Sequence, residues 1–231
     1  MNFRIRSYRK ELLDGSNIPF EDIKKNMQEL DTINTRLGGH AITLKGFRSL
    51  LQDKKQIRVC EIGCGGGDNL VAIRKWCVAN GIKVCCIGID MKAECVELAK
   101  QQPELKDNCQ WIVSDYADVI FDTKPDIIFS SLFCHHFTDE QLVTQLQWYH
   151  ANSRTGFFIN DLHRNWIAYY SISILTELFS SSYLVKNDAP LSVSRGFLKK
   201  EWEAIASLAG IEVTVSWEWA FRHLVIARHD N

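Results

Sequence analysis

Val59-Cys60-Glu61-Ile62-Gly63-Cys64-Gly65-Gly66-Gly67-Asp68 is an apolar strand pattern that runs into a glycine-rich turn and then a helical pattern. A side chain at Gly63 or Gly65 would forbid a positive φ, or stand between the main chain and whatever docks at the next helix N-terminus. The loop is shaped for close approach of a ligand. Its spacing separates two cofactor classes: counted from Gly63, the dinucleotide pattern Gly-x-Gly-x-x-Gly needs its third glycine at the position held by Asp68. The pattern present is Glu61-x-Gly63-x-Gly65-x-Gly67. A single glycine loop also suits a tight structural turn, so the next strands must decide.

Those strands alternate with helices. After the loop, residues 70–79 read as a helix, 84–90 as a buried strand and 93–100 as a helix. Short strands follow at 110–113 and 125–131, then a helix at 141–150 and an apolar strand at 156–160. Such alternation predicts a parallel sheet with helices on both faces and ligands at the carboxyl ends of the strands. The end of the chain changes character: a helix over 199–209 leads into runs at 211–217 and 220–227, close enough to pair as a hairpin. Ahead of the core, Phe20, Ile23, Met27, Leu30, Ile33 and Leu37 recur at helical spacing, with Gly38-Gly39 as a C-cap. A second amphipathic helix runs through Ile42, Phe47, Leu50 and Leu51. These helices cover a sheet face, or Gly38-Gly39-His40 passes over the ligand mouth as part of a lid. The expected division is a helical cap over 1–55 and a main domain over 56–231, with a substrate-side helical insert around 164–198.

Composition narrows the function. A chain of 231 residues with 46% hydrophobic content buries one good core. Lys+Arg of 27 against Asp+Glu of 28 give a net charge of -1, so no global field draws the protein to nucleic acid or an anionic membrane. A small-molecule substrate fits better. The eight cysteines show no Cys-x-x-Cys or paired Cys/His spacing, which predicts reduced core residues and no metal. Residues 1–10 are basic without an apolar stretch, so no signal peptide is expected and the cytoplasm is the expected location.

At the end of the second strand pattern, Asp90 offers a carboxylate that can accept hydrogen bonds from both hydroxyls of a ribose. Asp115-Tyr116 follows the third. Together with the glycine loop, these residues resemble the class I S-adenosylmethionine-dependent methyltransferases, over roughly residues 57–228. The resemblance implies a Rossmann-like α/β fold: a seven-stranded, mostly parallel sheet with an antiparallel C-terminal hairpin strand, helices on both faces and an N-terminal helical extension. It implies S-adenosylmethionine as cofactor, held by Glu61, Gly63, Cys64, Gly65, Asp90, Met91, Asp115, Tyr116 and Ser131. Asp115 would accept from the adenine amine, and Tyr116 or Met91 would lie on the ring. Asn160-Asp161-Leu162-His163-Arg164, the run Asp188-Ala189-Pro190-Leu191-Ser192 with Arg195, and Gly38-Gly39 look like a subgroup found beside polyketide and aromatic-lipid biosynthesis enzymes.

In Ser131-Leu132-Phe133-Cys134-His135-His136-Phe137, the Asn/Asp-Pro-Pro-Tyr signature of the branch that methylates DNA bases and protein glutamine is absent. His135 and His136 instead lie next to the expected methyl group, where one, His136 before His135, can take a proton from a substrate hydroxyl or can simply pack. The apolar helix over 165–180 is too short and too interrupted to span a bilayer, and serves as core, dimer surface or a wall for an aromatic or acyl substrate. Tyr169 belongs to that wall, and Arg164, Arg195 and Arg222 are candidates to orient a polar group from one side. The expected activity is methylation of a hydroxyl on a hydrophobic or aromatic small molecule by a monomer or homodimer. Its rivals are C-methylation of a quinone or phenol ring, a non-catalytic module that binds the cofactor, and a nicotinamide dehydrogenase.

Overall fold

The computed structural model describes residues 3–15 and 17–229; residues 1 and 2, part of the leader reading, lie outside them. Seven strands form one sheet: β1 (Gln56–Ile62), β2 (Lys83–Asp90), β3 (Cys109–Val113), β4 (Ile127–Ser131), β5 (Gly156–Leu162), β6 (Thr214–Glu218) and β7 (Arg222–Arg228). Their order is β3-β2-β1-β4-β5-β7-β6. The first five pair in parallel, and β7 pairs antiparallel with both β5 and β6. The order reverses direction between β1 and β4, which opens a crevice at the carboxyl ends of the strands.

Alternation along the strands sorts the core into two faces. Cys60, Ile62, Ile128, Phe157, Ile159 and Val225 pack with Leu142, Leu146 and Tyr149 of α5 (Asp139–Asn152) and Trp202 and Ile205 of α8 (Lys199–Ala209). On the other face Ile57, Val59, Phe129, Phe158 and Leu224 meet Phe47 and Leu50 of α2 (Gly39–Leu51) and Leu70 and Ile73 of α3 (Asp68–Ala79). Helix α2 approaches closely because of Gly46: a Cβ there would stand 2.5 Å from the Phe158 ring. Burying one such side chain is worth about 1.5–3 kcal/mol, so these two layers hold the strand ends that carry the site.

Two helical expectations are corrected. Helix α1 (Phe20–Arg36) ends at Leu37 with Gly38 left-handed at φ +76°, but Gly39 opens α2 and is no part of the cap. The buried side of α1 is also less apolar than its spacing predicts: Phe20 is exposed, while Asn26 and Asn34 are buried beside Ile23. Beyond β5, the segment around 164–198 is two helices, α6 (Trp166–Phe179) and α7 (Tyr183–Arg195), with Pro190 inside α7. The short α4 (Ala93–Ala99) follows β2. No described helix is long and apolar enough to cross a membrane. All eight cysteines are free; Cys85 is exposed and Cys109 half-buried, the other six buried.

Candidate active site

The glycine loop lies in the crevice. Gly63, Gly65 and Gly67 all have positive φ, and the backbone N–H groups of Gly63 and Cys64 donate to the Ile89 carbonyl, which ties the loop to β2. Asp90 closes this corner: Oδ2 accepts from the Gly65 N–H at 2.9 Å and Oδ1 from the Lys92 N–H at 2.9 Å. Burial raises its pKa, against the pull of those two N–H groups and Lys92. Each carboxylate oxygen has a further lone pair, so Asp90 still has acceptor capacity for hydroxyls. Met27 of α1 lies over the loop, its Sδ 3.3 Å from where a Gly65 Cβ would be, and the Phe133 ring fills the space beside Gly63.

Strand alternation puts Glu61, Ser131, Asn160 and Arg222 on the α2/α3 face at the same edge of the sheet. All four are buried. Glu61 Oε1 accepts from Asn69 Nδ2 at 2.9 Å, but its Oε2 has no partner. Asn160 Nδ2 donates to the Gly39 carbonyl, Thr43 Oγ1 and Ser131 Oγ, while Asn160 Oδ1 is unpartnered. Arg222 Nη2 donates to Asn34 Oδ1 at 2.9 Å and its Nη1 is unpartnered. Asn34 passes the contact on to Asp68 Oδ2, which also meets His40 Nε2 at 2.7 Å. Buried polar atoms without partners are costly and call for a ligand or water. Burial, reinforced by Asp68, holds the Glu61 carboxyl well above the usual range. Burial also lowers Arg222 to about 10, against the attraction of Asp161 and Asp68.

On the opposite face, Leu132 leaves β4 at φ +53° and starts the short turn Cys134–His136. His135 is buried, with Nδ1 2.7 Å from Asp161 Oδ1 and Nε2 3.5 Å from Glu11 Oε1. Burial alone would lower its pKa, but Asp161 and Glu11 overcome it and push it up to about 9. The two carboxylates thus favour the protonated form of the His135 ring over the neutral base. His136 Nδ1 sits 3.0 Å from Asp14 Oδ1, and its Nε2 is 3.7 Å from Glu11 Oε2. Burial raises the Asp14 pKa, yet the hydrogen bond and charge of His136 carry it well below the carboxylate range.

Glu11 and Asp14 come from the N-terminal segment, which lies across the strand ends. Its Leu12 and Leu13 N–H groups donate to the Asp188 carboxylate of α7, Arg6 bonds the Phe137 carbonyl and Asp139, and the Gly15 carbonyl accepts from Lys92 Nζ. Sequence reading does not single out Glu11, Asp14, Asn34 or Asp161 as site residues. Asp161 stands in the run 160–164, but nothing local links it to His135, 26 residues upstream.

The other expected residues divide. Arg195 joins the cluster, donating to the His135 carbonyl and Arg9 carbonyl and lying 3.4 Å from Asp14. Arg164 does not: buried, it is held by Glu201 at 2.6 Å and by the Phe3 and Gly196 carbonyls, so it anchors α8 and the N-terminal segment. With Arg222 on the other face, the three arginines do not act from one side. Tyr169 packs edge-on to Phe3 and lines a cleft of about 560 Å³ between α6 and α7, with Arg9, Ile174 and Leu191. Asp115 is exposed and caps its own turn through Ala117 N–H, and Met91 is exposed. Tyr116 is half-buried among Phe133, Phe137, Trp148 and Tyr149, where burial pushes its hydroxyl up to about 12.

A family model described as a methyltransferase domain matches residues 59–156. No curated protein matches the chain in sequence. Among solved structures, the plantazolicin methyltransferase BpumL in complex with S-adenosylhomocysteine superposes with a TM-score of 0.68 at 17% identity, covering 91% of this chain and 90% of that one. Magnesium protoporphyrin IX methyltransferase from Synechocystis PCC 6803, also with S-adenosylhomocysteine, gives 0.53 at 13% identity over 94% and 90%. An O-methyltransferase-like protein of Nostoc punctiforme PCC 73102 gives 0.60 at 13% identity; 88% of this chain matches, spanning 60% of that protein. With a methyltransferase domain over residues 59–156 set into this sheet order, the chain has the class I S-adenosylmethionine-dependent methyltransferase fold.

Proposed function

We propose that the protein transfers a methyl group from S-adenosylmethionine to a hydroxyl of a hydrophobic or aromatic small molecule. The observation that carries this reading is the set of unpartnered buried atoms beside the glycine loop: two acceptors, Glu61 Oε2 and Asn160 Oδ1, and one donor, Arg222 Nη1. An amino-acid tail with one ammonium and one carboxylate satisfies such a set, whereas a pyrophosphate calls for donors alone. Glu61 and Asn160 would hold the ammonium, Arg222 the carboxylate and Asp90 the ribose. When bound, the cofactor would supply an electrophilic sulfonium methyl: the acceptor oxygen bonds to the methyl carbon as the carbon–sulfur bond breaks, its electron pair staying on sulfur as a neutral thioether.

The protein's share of the work is binding, orientation and handling one proton. Holding the acceptor oxygen in line with the methyl removes most of the entropic barrier to a two-body reaction. We assign the His135–His136 cluster to meet that oxygen; its position in the turn after β4, the strand beside β1 and its glycine loop, supports this. The α6–α7 cleft is the candidate acceptor pocket, with Tyr169, Ile174 and Leu191 as its apolar side and Arg9, Glu177 and Lys186 as its charged side. The neighbours named above for plantazolicin and magnesium protoporphyrin are methyltransferases with small-molecule names, which supports this substrate class.

The test is a melting-temperature panel followed by product analysis. S-adenosylhomocysteine at about 100 times its Kd should stabilise the fold by about 2.7 kcal/mol, and NADH should not. Incubation with S-adenosylmethionine and a phenol panel should give O-methyl products by mass spectrometry and NMR. A shift with NADH alone overturns the cofactor; a C-methyl product overturns the hydroxyl acceptor.

A further inference from the structure

We infer that Glu11, His135 and His136 form a zinc site whose open fourth position takes the acceptor's hydroxyl oxygen; this rests on the methyl-transfer reading above. The donor set is two imidazoles and a carboxylate, and the three ligand atoms lie within 4.8 Å of one another. The spacing matters more than the composition. Glu11 Oε1 stands 3.5 Å from His135 Nε2, and Glu11 Oε2 stands 3.7 Å from His136 Nε2. Both separations are long for a hydrogen bond. They are close to the roughly 3.4 Å that separates two ligands of one tetrahedral ion with bonds of about 2.1 Å.

The groups behind the ligands fit the same reading. Each histidine turns Nε2 inward because its Nδ1 is held by a carboxylate, Asp161 for His135 at 2.7 Å and Asp14 for His136 at 3.0 Å. A carboxylate behind each ligating imidazole fixes the ring and raises its donor strength. Glu11 is oriented in turn by Ser192 Oγ, which donates to Oε1 at 2.7 Å. Carboxylates dominate the surroundings: Glu11, Asp14 and Asp161 line the cluster, with Arg195 3.8 Å from Glu11 and 3.4 Å from Asp14 and Arg222 attracted by Asp161. Three protein ligands leave one tetrahedral position open.

At that position the acceptor oxygen binds the ion, its O–H bond breaks with the electron pair left on oxygen, and the proton passes to solvent. The ion thus does at neutral pH what a histidine near its ordinary pKa does poorly for a phenol. The cluster also ties the N-terminal segment into the site, because Glu11 is a ligand.

The experiment uses the full chain, stripped of metal with a chelator and titrated with Zn²⁺ against a chromogenic competitor, beside Glu11→Gln, His136→Gln and Asp14→Asn. One equivalent should bind tightly; Glu11→Gln and His136→Gln should each weaken it at least a hundredfold, and Asp14→Asn about 10- to 100-fold. Co²⁺ in the unaltered chain should give the intense visible bands of a tetrahedral N/O site without a thiolate charge-transfer band, a readout that needs no variant to fold. Zinc that binds equally well to Glu11→Gln and His136→Gln sits on thiols and overturns the proposal, as does a six-coordinate Co²⁺ spectrum. The S-adenosylhomocysteine melting shift should persist in metal-free protein. Its loss in every form would sink the methyl-transfer reading and leave the zinc result to be judged by itself.

Discussion

Glu61 shows how one buried carboxyl can be made to respond to its ligand. Its pKa is raised chiefly by burial, so without a cation it is protonated at a pH where a free glutamate is not. An ammonium at Oε2 reverses that preference, because the charged form then gains a partner. Binding of S-adenosylhomocysteine should therefore release a proton, and affinity should rise with pH until Glu61 is ionised before binding. Calorimetry in two buffers of different ionisation heat measures the release directly. In Glu61→Gln the release should vanish and affinity fall about tenfold or more, since a charge-assisted bond is worth about 1.5–3 kcal/mol; no release in the unaltered protein would remove Glu61 from the ammonium site. Gly63 makes a different demand. Its φ is +67° and a Cβ would lie 2.2 Å from the Phe133 ring, so Gly63→Ala should cost about 2 kcal/mol or more of stability, read from chemical denaturation.

Helix termini and faces explain what the sequence shows and hides among the elements. Helix α5 begins with a capping box, Thr138 Oγ1 accepting from Gln141 N–H and the Gln141 side chain accepting from Thr138 N–H. Thr138→Ala should lower stability by about 1 kcal/mol without changing S-adenosylhomocysteine affinity, a contrast with Asn34→Leu, which should reduce both. Asn34 does two jobs: it holds Arg222 and reaches Asp68 at the start of α3. Strands β1 to β5 and helix α8 are legible because their apolar periods are local and strong, and the glycine loop with Asp90 is legible because one turn and one strand end carry it. Helix α7 is not. Pro190 sits in its interior and its buried side includes Asp188, Ser194 and Arg195, so the period that would mark its start and end is blurred. The burial of Asn26 and Asn34 is hidden in the same way, since an apolar stripe on α1 gives no hint that polar neighbours are buried with it, or that Asn34 meets Arg222 and Asp68.

The site as a whole is assembled from both ends of the chain, and this is the part that local patterns cannot carry. Glu11 and Asp14 meet histidines more than 120 residues away, and Arg222 begins the strand that closes the sheet against β5. The three-arginine reading fails for the same reason: residues that a sequence places in one functional list are separated by the two faces of a sheet. Long-range assembly also sets the response of the fold to acid. The His163 and His223 rings lie 4.8 Å apart, tilted by 44°, at the edge where β5 meets β7. Burial lowers both, and the charge of His163 adds to the effect on His223, whose pKa falls to about 4. A histidine with a lowered folded-state pKa favours the neutral form in the native protein, so its stabilising effect is complete above the unfolded value of about 6.5 and is lost as pH falls toward 4. Thermal unfolding should thus weaken steadily between pH 6.5 and 4, with His223 contributing on the order of 2 kcal/mol of the loss at pH 5. His223→Leu should flatten that slope while leaving the melting temperature at pH 7.5 nearly unchanged or raised, because the side chain is buried and neither of its ring nitrogens has a side-chain partner. An unchanged acid slope in this variant would move the acid sensitivity to the buried carboxylates Glu11 and Asp161, whose lowered pKa values predict a loss at more acidic pH, as pH falls through their folded-state pKa values.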